Sequence, residues 1–368
     1  MIFSVPSRAV KKLNQVTTMK SFLVCVAVLI SNLSIAQDSV DKYIQTQMEK
    51  EKIVGLSVGI IKNGEIVKIK GYGKANLEHN IAASENTVYK LASVSKQFIA
   101  TAIMKMVEDR KISLQDPVSK FFKDAPSHWS KITVRHLLNH TSGLQRESPA
   151  FEEMVVKPDS VLIKAAYKDS LAFPTGAKWQ YCNLGYFMLA DIIRLTSGQP
   201  FAKYMRDEIF IKHGLLNTQT TSVKTIIPNR ADGYVNNSNT LLNAEDYVAL
   251  RPSGAFVSTI NDMLKREMVL QQNKILKEST LKQMSSDKEK TPTVRANGEI
   301  IYYGYGWRVT RYLNNNIVFH TGVLPGFRTI FYRIPGEKTA IIILANSELP
   351  DIVKTAEGLA DIIVANSK

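Results

Sequence analysis

Ser-x-x-Lys recurs along the chain, and three of its occurrences are Ser93–Lys96, Ser279–Lys282 and Ser285–Lys288. A serine hydroxyl becomes a useful nucleophile when a nearby base takes its proton, and residues three apart on a helix face the same side. The first pair alone opens a long apolar stretch, LASVSKQFIATAIMKMV at positions 91–107. A nucleophile in a first helical turn has free backbone N–H groups and the positive end of the helix dipole beside it. Apolar residues behind the pair shield Lys96 from water, and desolvation favours the neutral amine that can accept a proton. The other two pairs lie in KESTLKQMSSDKEKT, which reads as a solvated surface. The plain alternative for Ser93 and Lys96 is a helix start with a lysine at its edge, and the pair by itself does not choose.

Two distant segments supply partners. WQYCNLGYFML places Tyr181 and Asn183 at a turn just before a buried helix. A tyrosine beside cationic groups can take a proton, and an asparagine amide can hold a substrate carbonyl or a lysine. A core tyrosine and a helix-capping asparagine are the structural alternatives. IVFHTGVLPGF sets His320, Thr321 and Gly322 at the end of a strand. A glycine there lets a substrate backbone lie along the strand, and the N–H of Val323 can point at an oxyanion. His320 is also explicable as a hydrogen-bonded strand-end histidine with no substrate contact. Cys182 reads as a small buried filler and His140 as a loop-holding residue. Trp307 is open between lining a cleft and packing in the core.

Elements able to position these residues are legible on either side. A helix is expected near Ser39–Glu51, followed by two strands in VGLSVGIIKNGEIVKIKGYG joined at Asn63-Gly64, a strong hairpin signal. The C-terminal part offers three more β-branched runs, NNIVFHTG, FRTIFYRIP and KTAIIILANS, and then an apolar-periodic helix with Pro350 near its start. Between them the texture is helical, with FIATAIMKMVEDRK and LGYFMLADIIRLTSG as long apolar helices, the second closed by Gly198 and Pro200. Strands at both ends around a helical middle predict one antiparallel sheet made by the two termini, a second lobe, and a cleft between them.

The first 36 residues differ from the rest. They hold Arg8, Lys11, Lys12 and Lys20, no acid, and the apolar run SFLVCVAVLI before Ser34-Ile35-Ala36. That pattern predicts a signal peptide cleaved before Gln37, with Met19 as an alternative start; an uncleaved anchor is the competing reading. The apolar run is shorter than the roughly 20 residues a membrane span needs. Loss of the four basic residues lowers the formal charge from +14 to +10. The remaining lysines alternate with acids and form no stripe, which argues against a nucleic-acid partner and leaves contact with an anionic envelope surface open. Of two cysteines, Cys25 leaves with the leader, so no intramolecular disulfide is expected. The six histidines are dispersed, so no metal site is expected.

Ser-x-x-Lys, Tyr-x-Asn and His-Thr-Gly in this order resemble the motifs of the penicillin-recognising serine hydrolases. The tyrosine form is similar to class C β-lactamases, D-alanyl-D-alanine carboxypeptidases, D-aminopeptidases and related esterases. LLNHTSGL at 137–144, RADGY at 230–234, PSGAFVST at 252–259 and GYGW at 304–307 add to the likeness. The resemblance implies an α+β fold, an antiparallel sheet flanked by terminal helices with an inserted, mostly helical lobe. On this reading the signal peptide is 1–36 and the catalytic domain 37–368, with the α/β lobe from 37–92 plus 296–368 and the helical lobe from 93–295. It also implies that Ser93 forms an acyl-enzyme, that Lys96 and Tyr181 share the proton relay, and that Asn183 positions substrate. His320, Thr321 and Gly322 then bind substrate, and the N–H groups of Ser93 and Val323 form the oxyanion hole. Position 320 is the departure: class C β-lactamases carry lysine there, and a histidine titrating near neutrality would lose a carboxylate-binding role as pH rises. The expected protein is a monomeric, exported, periplasmic or secreted enzyme without a cofactor, acting on a small molecule or peptide. The substrate is a D-amino-acid peptide or peptidoglycan stem, a β-lactam, or, alternatively, a carboxylic ester. A catalytically silent module that binds cell-wall fragments is the competing class of function.

Overall fold

The structure, a computed structural model, describes residues 39–221, 225–238, 240–246, 256–286, 293–294, 298–312, 314–349 and 351–365. The expected leader with Met19 and Cys25, residues 252–255 of the PSGAFVST segment, Lys288 and Pro350 lie outside the described residues.

A helix over 39–51 (α1) leads into Gly55–Lys62 (β1), Glu65–Asn76 (β2) and Ile81–Ala82 (β3). Then come helices Ser95–Glu108 (α2), Asn183–Ser197 (α3) and Ile260–Gln271 (α4). Strands Thr293–Val294 (β4), Ile300–Tyr303 (β5), Arg308–Tyr312 (β6), Asn315–Leu324 (β7), Phe327–Ile334 (β8) and Thr339–Ala345 (β9) precede helix Ile352–Ala365 (α5). The strands form one antiparallel sheet in the order β3-β2-β1-β9-β8-β7-β6-β5-β4. The two chain ends meet at its centre, where β1 pairs with β9 in the register Leu56↔Ala345. The β1–β2 turn places Asn63 and Gly64 both at positive φ, 53° and 84°, as a twisted two-residue hairpin requires.

Side-chain alternation decides what covers each face. From β9, Ile341, Ile343 and Ala345 pack with Val40 and Ile44 of α1 and with Ala356 and Leu359 of α5. The intervening Ala340, Ile342 and Leu344 join the core that holds α2, α3 and α4. Covered on both sides, β9 reads as an unbroken apolar run, and each fully buried isoleucine contributes about 1.5–3 kcal/mol. Helix α4 lies in the stretch expected for the helical lobe, yet it packs on the sheet. A Cβ at Gly59 of β1 would come within 2.8 Å of the Leu264 side chain. Thr293–Val294 likewise joins the sheet by pairing with Ile300 and Ile301.

The segment before α2 is fastened to the sheet. The α-helix begins at Ser95, two residues later than the motif alone suggests, and Ser93 sits in a single 3-10 turn, Ala92–Val94. Leu91 N–H donates to Phe256 O at 2.8 Å, and Phe256 N–H donates to Ser95 Oγ at 3.1 Å. Thr329 Oγ1 of β8 donates to Leu91 O at 2.8 Å. Ala92 is held at φ +50°, which costs a non-glycine residue on the order of 1–3 kcal/mol. Gly322 of β7 lies directly beneath. A Cβ there would fall 2.2 Å from Leu91 O and 2.2 Å from Thr329 Oγ1. The side of that glycine on which a Cβ would stand receives the serine turn. Gly322→Ala should therefore destabilise the protein by about 1–3 kcal/mol, read as a lowered urea midpoint. A midpoint equal to wild type would show that the turn is not seated on the strand.

Candidate active site

Helix α2 is apolar nearly all round, and a helix of that kind needs cover on every side. Lys96 in its first turn is fully buried as a result. Its Nζ donates to Ser93 Oγ at 3.2 Å and lies 4.8 and 5.5 Å from the ring centroids of Tyr181 and Tyr186. The amine is thus held out of water between two aromatic faces. Among the described residues, the surface pairs look different. Lys282 pairs with exposed Glu278 at 2.7 Å, and Ser285 Oγ donates to Lys282 O on the surface.

Tyr181 reaches Lys96 because the turn before α3 is tied to the loop that precedes it in sequence. Cys182 N–H donates to His140 Nδ1 at 3.1 Å, and Gln180 N–H donates to His140 O at 3.0 Å. His140 itself is buried, with its ring 4.5 Å from those of Tyr181 and Tyr303. Cys182 caps α3 by accepting from Gly185 N–H at 3.3 Å, and its thiol donates to Gln145 O at 3.2 Å. Burial pushes that thiol up to about 12, so it stays protonated and works as a structural cap. Asn183 N–H donates to Arg146 O at 2.8 Å, and its Nδ2 donates to Glu147 Oε1. Burial raises the Glu147 carboxyl above the usual carboxylate range, against the lowering influence of Asn183, Lys96 and Arg146. The exposed Arg146 guanidinium lies 5.5 Å over the Tyr181 ring.

His320 closes the other side. The β6–β7 register ends at Arg308↔Phe319, so from His320 onward β7 pairs only with β8 and its second edge is open. His320 is buried, with Nδ1 2.7 Å from Thr321 O and Nε2 2.8 Å from Tyr303 Oη. A carbonyl can only accept, so Nδ1 carries the proton and Nε2 accepts from the tyrosine hydroxyl. Burial, then the charges of Arg308 and Lys96, hold His320 well below its ordinary value. This corrects the expectation of a histidine that titrates near neutrality: at pH 7 it is neutral and engaged at both nitrogens. Strand alternation turns Thr321 and Val323 to the face opposite Gly322, so they present backbone toward the serine turn. Val323 is exposed.

The structure thus brings Ser93, Lys96, Tyr181, Asn183 and the His320–Val323 strand end around one point. Sequence reasoning did not single out Glu147, Arg146, Tyr186 or Tyr303, which sit three residues beyond LLNHTSGL, two residues beyond it, in the buried helix, and one residue before GYGW. Their nearness to those segments was the available signal. Trp307 resolves to a core residue, buried against Phe331 and the Arg266 guanidinium. Two cavities among the described residues, of about 260 and 290 Å³, are lined by none of Ser93, Lys96 or Tyr181.

His140 and His320 both have values held well below the ordinary 6.5, chiefly by burial. The unfolded chain binds these protons first, so their contribution to stability is complete above about pH 6.5 and is lost as pH falls toward the folded-state values. Each such group subtracts about 1.4 kcal/mol per pH unit across that window. Urea midpoints should drop between pH 7.5 and pH 5.5, and less steeply in His320→Gln. An identical slope in wild type and variant would show that His320 takes up its proton in the folded state.

The model of the Beta-lactamase family matches residues 40–364. Penicillin-binding protein 4* of Bacillus subtilis (strain 168) is 27% identical over 326 residues, covering 83% of this chain and 70% of that protein. The octameric penicillin-binding protein homologue of Pyrococcus abyssi superposes with a TM-score of 0.78 at 25% identity, covering 89% of this chain and 77% of the other. D-amino acid amidase of Ochrobactrum anthropi SV3 shares the fold, with a TM-score of 0.79 at 21% identity over 89% of this chain and 98% of its own. With a family match that runs almost from the first described helix to the last, and with Ser93, Lys96 and Tyr181 gathered at one point, the chain belongs to the beta-lactamase family of serine hydrolases and penicillin-binding proteins.

Proposed function

We propose that the protein is an exported serine hydrolase that opens amide or ester carbonyls through an acyl-enzyme, with D-amino-acid peptides of the peptidoglycan type as its natural substrates and β-lactams as chemical mimics of them. The observation that carries this reading is the 3.2 Å contact between Lys96 Nζ and Ser93 Oγ at a fully buried lysine. In the forward step the Ser93 hydroxyl proton passes to Lys96 and Tyr181 as Oγ bonds to the carbonyl carbon. The oxygen of the tetrahedral intermediate takes hydrogen bonds from the N–H groups of Ser93 and Val323. The C–N or C–O bond then breaks, and the relay returns the proton to the leaving amine or alcohol. Water attacks the ester, gives its proton to the same relay, and Ser93 is restored. Asn183 positions the acyl group, and the neutral His320–Tyr303 pair fixes the strand end beside it. All these groups come from one chain, so a monomer suffices to build the site.

What the named neighbours bind or act on, penicillin in one case and D-amino acid amides in the other, supports a substrate of this class. The basic, apolar N-terminal 36 residues support export. A carboxylic ester remains the alternative substrate, because the same relay serves both leaving groups.

Intact-mass analysis after brief incubation with a cephalosporin, a p-nitrophenyl ester and a D-Ala-D-Ala peptide tests the mechanism. At least one compound should add its acyl mass to wild type and none to Ser93→Ala. Lys96→Ala and Tyr181→Phe should each slow turnover by at least ~100-fold. Turnover that survives Ser93→Ala would overturn the mechanism. Failure of wild type to react with a fluorophosphonate that labels a control enzyme would favour the silent binding module instead.

A further inference from the structure

Lys96 opens α2 and Asp109 closes it, about 20 Å away at 1.5 Å of rise per residue. At that far end the cavity of about 260 Å³ is lined by Lys105, Lys111, Lys212 and Lys274 against two acids, Asp109 and Glu208. A lysine in the last turn of a helix neutralises its carbonyl end, which accounts for Lys105 in α2. That effect fades within a turn, and Lys111 and Lys274 lie beyond the last residues of α2 and α4. Nor do the acids account for them. Asp109 is held by Lys105, and Glu208 by Lys212 at 3.1 Å. Among the described residues Lys111 and Lys274 form no ion pair, and both are exposed. Two hydroxyls add to the donors. Burial, then Glu208 and Asp109, pushes the Tyr204 hydroxyl up to about 12, so it keeps its proton. Thr196 Oγ1 is buried without a hydrogen-bond partner. The cavity therefore offers ammonium and hydroxyl groups while both lining carboxylates are already paired, which is the complement of a phosphate.

Aliphatic side chains flank the cavity. Leu195 and Ile211 are exposed and immediately precede the lining residues Thr196 and Lys212, and Leu216 is more exposed still. A soluble anion makes no use of exposed aliphatic groups. A bilayer surface does, because they enter the interface while lysine ammoniums meet the lipid phosphates. We propose that this end of the molecule docks on an anionic phospholipid surface, with a lipid phosphate seated between Lys111 and Lys274 and with Leu195, Ile211 and Leu216 entering the interface. Each lysine brought to such a surface is worth roughly fivefold in binding at physiological salt. The docking stands apart from the acyl-enzyme reading, since none of its residues touches Ser93. Where both hold, the surface-bound protein carries Ser93 up to about 20 Å from the lipid, on the side of a polymer outside the membrane.

Hydrogen–deuterium exchange of the full chain tests this, with vesicles of phosphatidylcholine alone and with about a third of it replaced by phosphatidylglycerol. The anionic vesicles should protect the backbone over 105–111 and 195–216 and leave 91–96 unchanged. That protection should fade as salt rises from ~0.05 to ~0.3 M. The basic N-terminal residues are common to every form, so protection of these segments, not total binding, is the measurement. Lys111→Glu combined with Lys274→Glu should raise the lipid concentration needed for protection by at least ~25-fold, with an unchanged urea midpoint. If that midpoint falls, Lys111→Gln with Lys274→Gln takes its place, and a ~5-fold rise or more is expected. Equal protection by the neutral vesicles overturns the proposal, as does protection undiminished in the double variant. Glycerol phosphate at the same phosphate concentration is the second arm. Protection as strong as with the vesicles would assign the cavity to a soluble anion and overturn docking on a bilayer.

Discussion

The architecture depends on keeping one lysine nitrogen out of water and within hydrogen-bond reach of a serine. Lys96 has no exposed surface, and Ser93 Oγ is 3.2 Å away. Removing an amine of this type from water costs several kcal/mol when it is charged, so the site persists only if the surrounding packing is extensive. That requirement explains why α2 is apolar on all sides and why it runs through the centre of the molecule, between the sheet-bound α4 and the long helix α3. The core that stabilises the fold is also what shields the base.

Position comes from a different set of contacts. The turn that holds Ser93 is clamped by the main chain of Phe256 on one side and by β7 and β8 on the other. Gly322 admits Leu91 at a distance no side chain would permit, and Ala92 is kept in a strained conformation as a consequence. A strained residue next to the reacting group is tolerable because the sheet beneath it is rigid: β7, β8 and β9 are central strands with terminal helices behind them. Tyr181 and Asn183 are located by a second clamp, the His140 loop, whose hydrogen bonds fasten the start of α3.

The two clamps differ in electrostatic character. On the β7 side, His320 and Tyr303 are neutral partners with their hydrogen bonds mutually engaged, and Arg308 adds a nearby positive charge. On the α3 side, Glu147 and Asn183 each hold a buried oxygen without a hydrogen-bond partner, and the Arg146 guanidinium lies over the Tyr181 ring. A substrate crossing from one side to the other meets opposite demands, which is a physical basis for orientation before any covalent step.

Much of this was legible in the residues themselves. The hairpin at Asn63-Gly64, the closing Gly198, the two-faced burial of KTAIIILANS and the order of the three motifs are local properties, set by backbone conformation and by period-2 or period-3.6 hydrophobicity. By itself the sequence determined the element types, the meeting of the two termini in one sheet, and the apolar surroundings of the Ser93–Lys96 pair. It did not determine that α4 would lie on the sheet, that Gly322 makes room for Leu91, or that His320 would be too buried to titrate near neutrality. Nor did it mark Glu147, whose significance lies in the unpaired oxygens it shares with Asn183. Each of these was decided only by tertiary structure, because close approach, desolvation and orphaned hydrogen-bond acceptors depend on which distant segments touch, and no local periodicity encodes that.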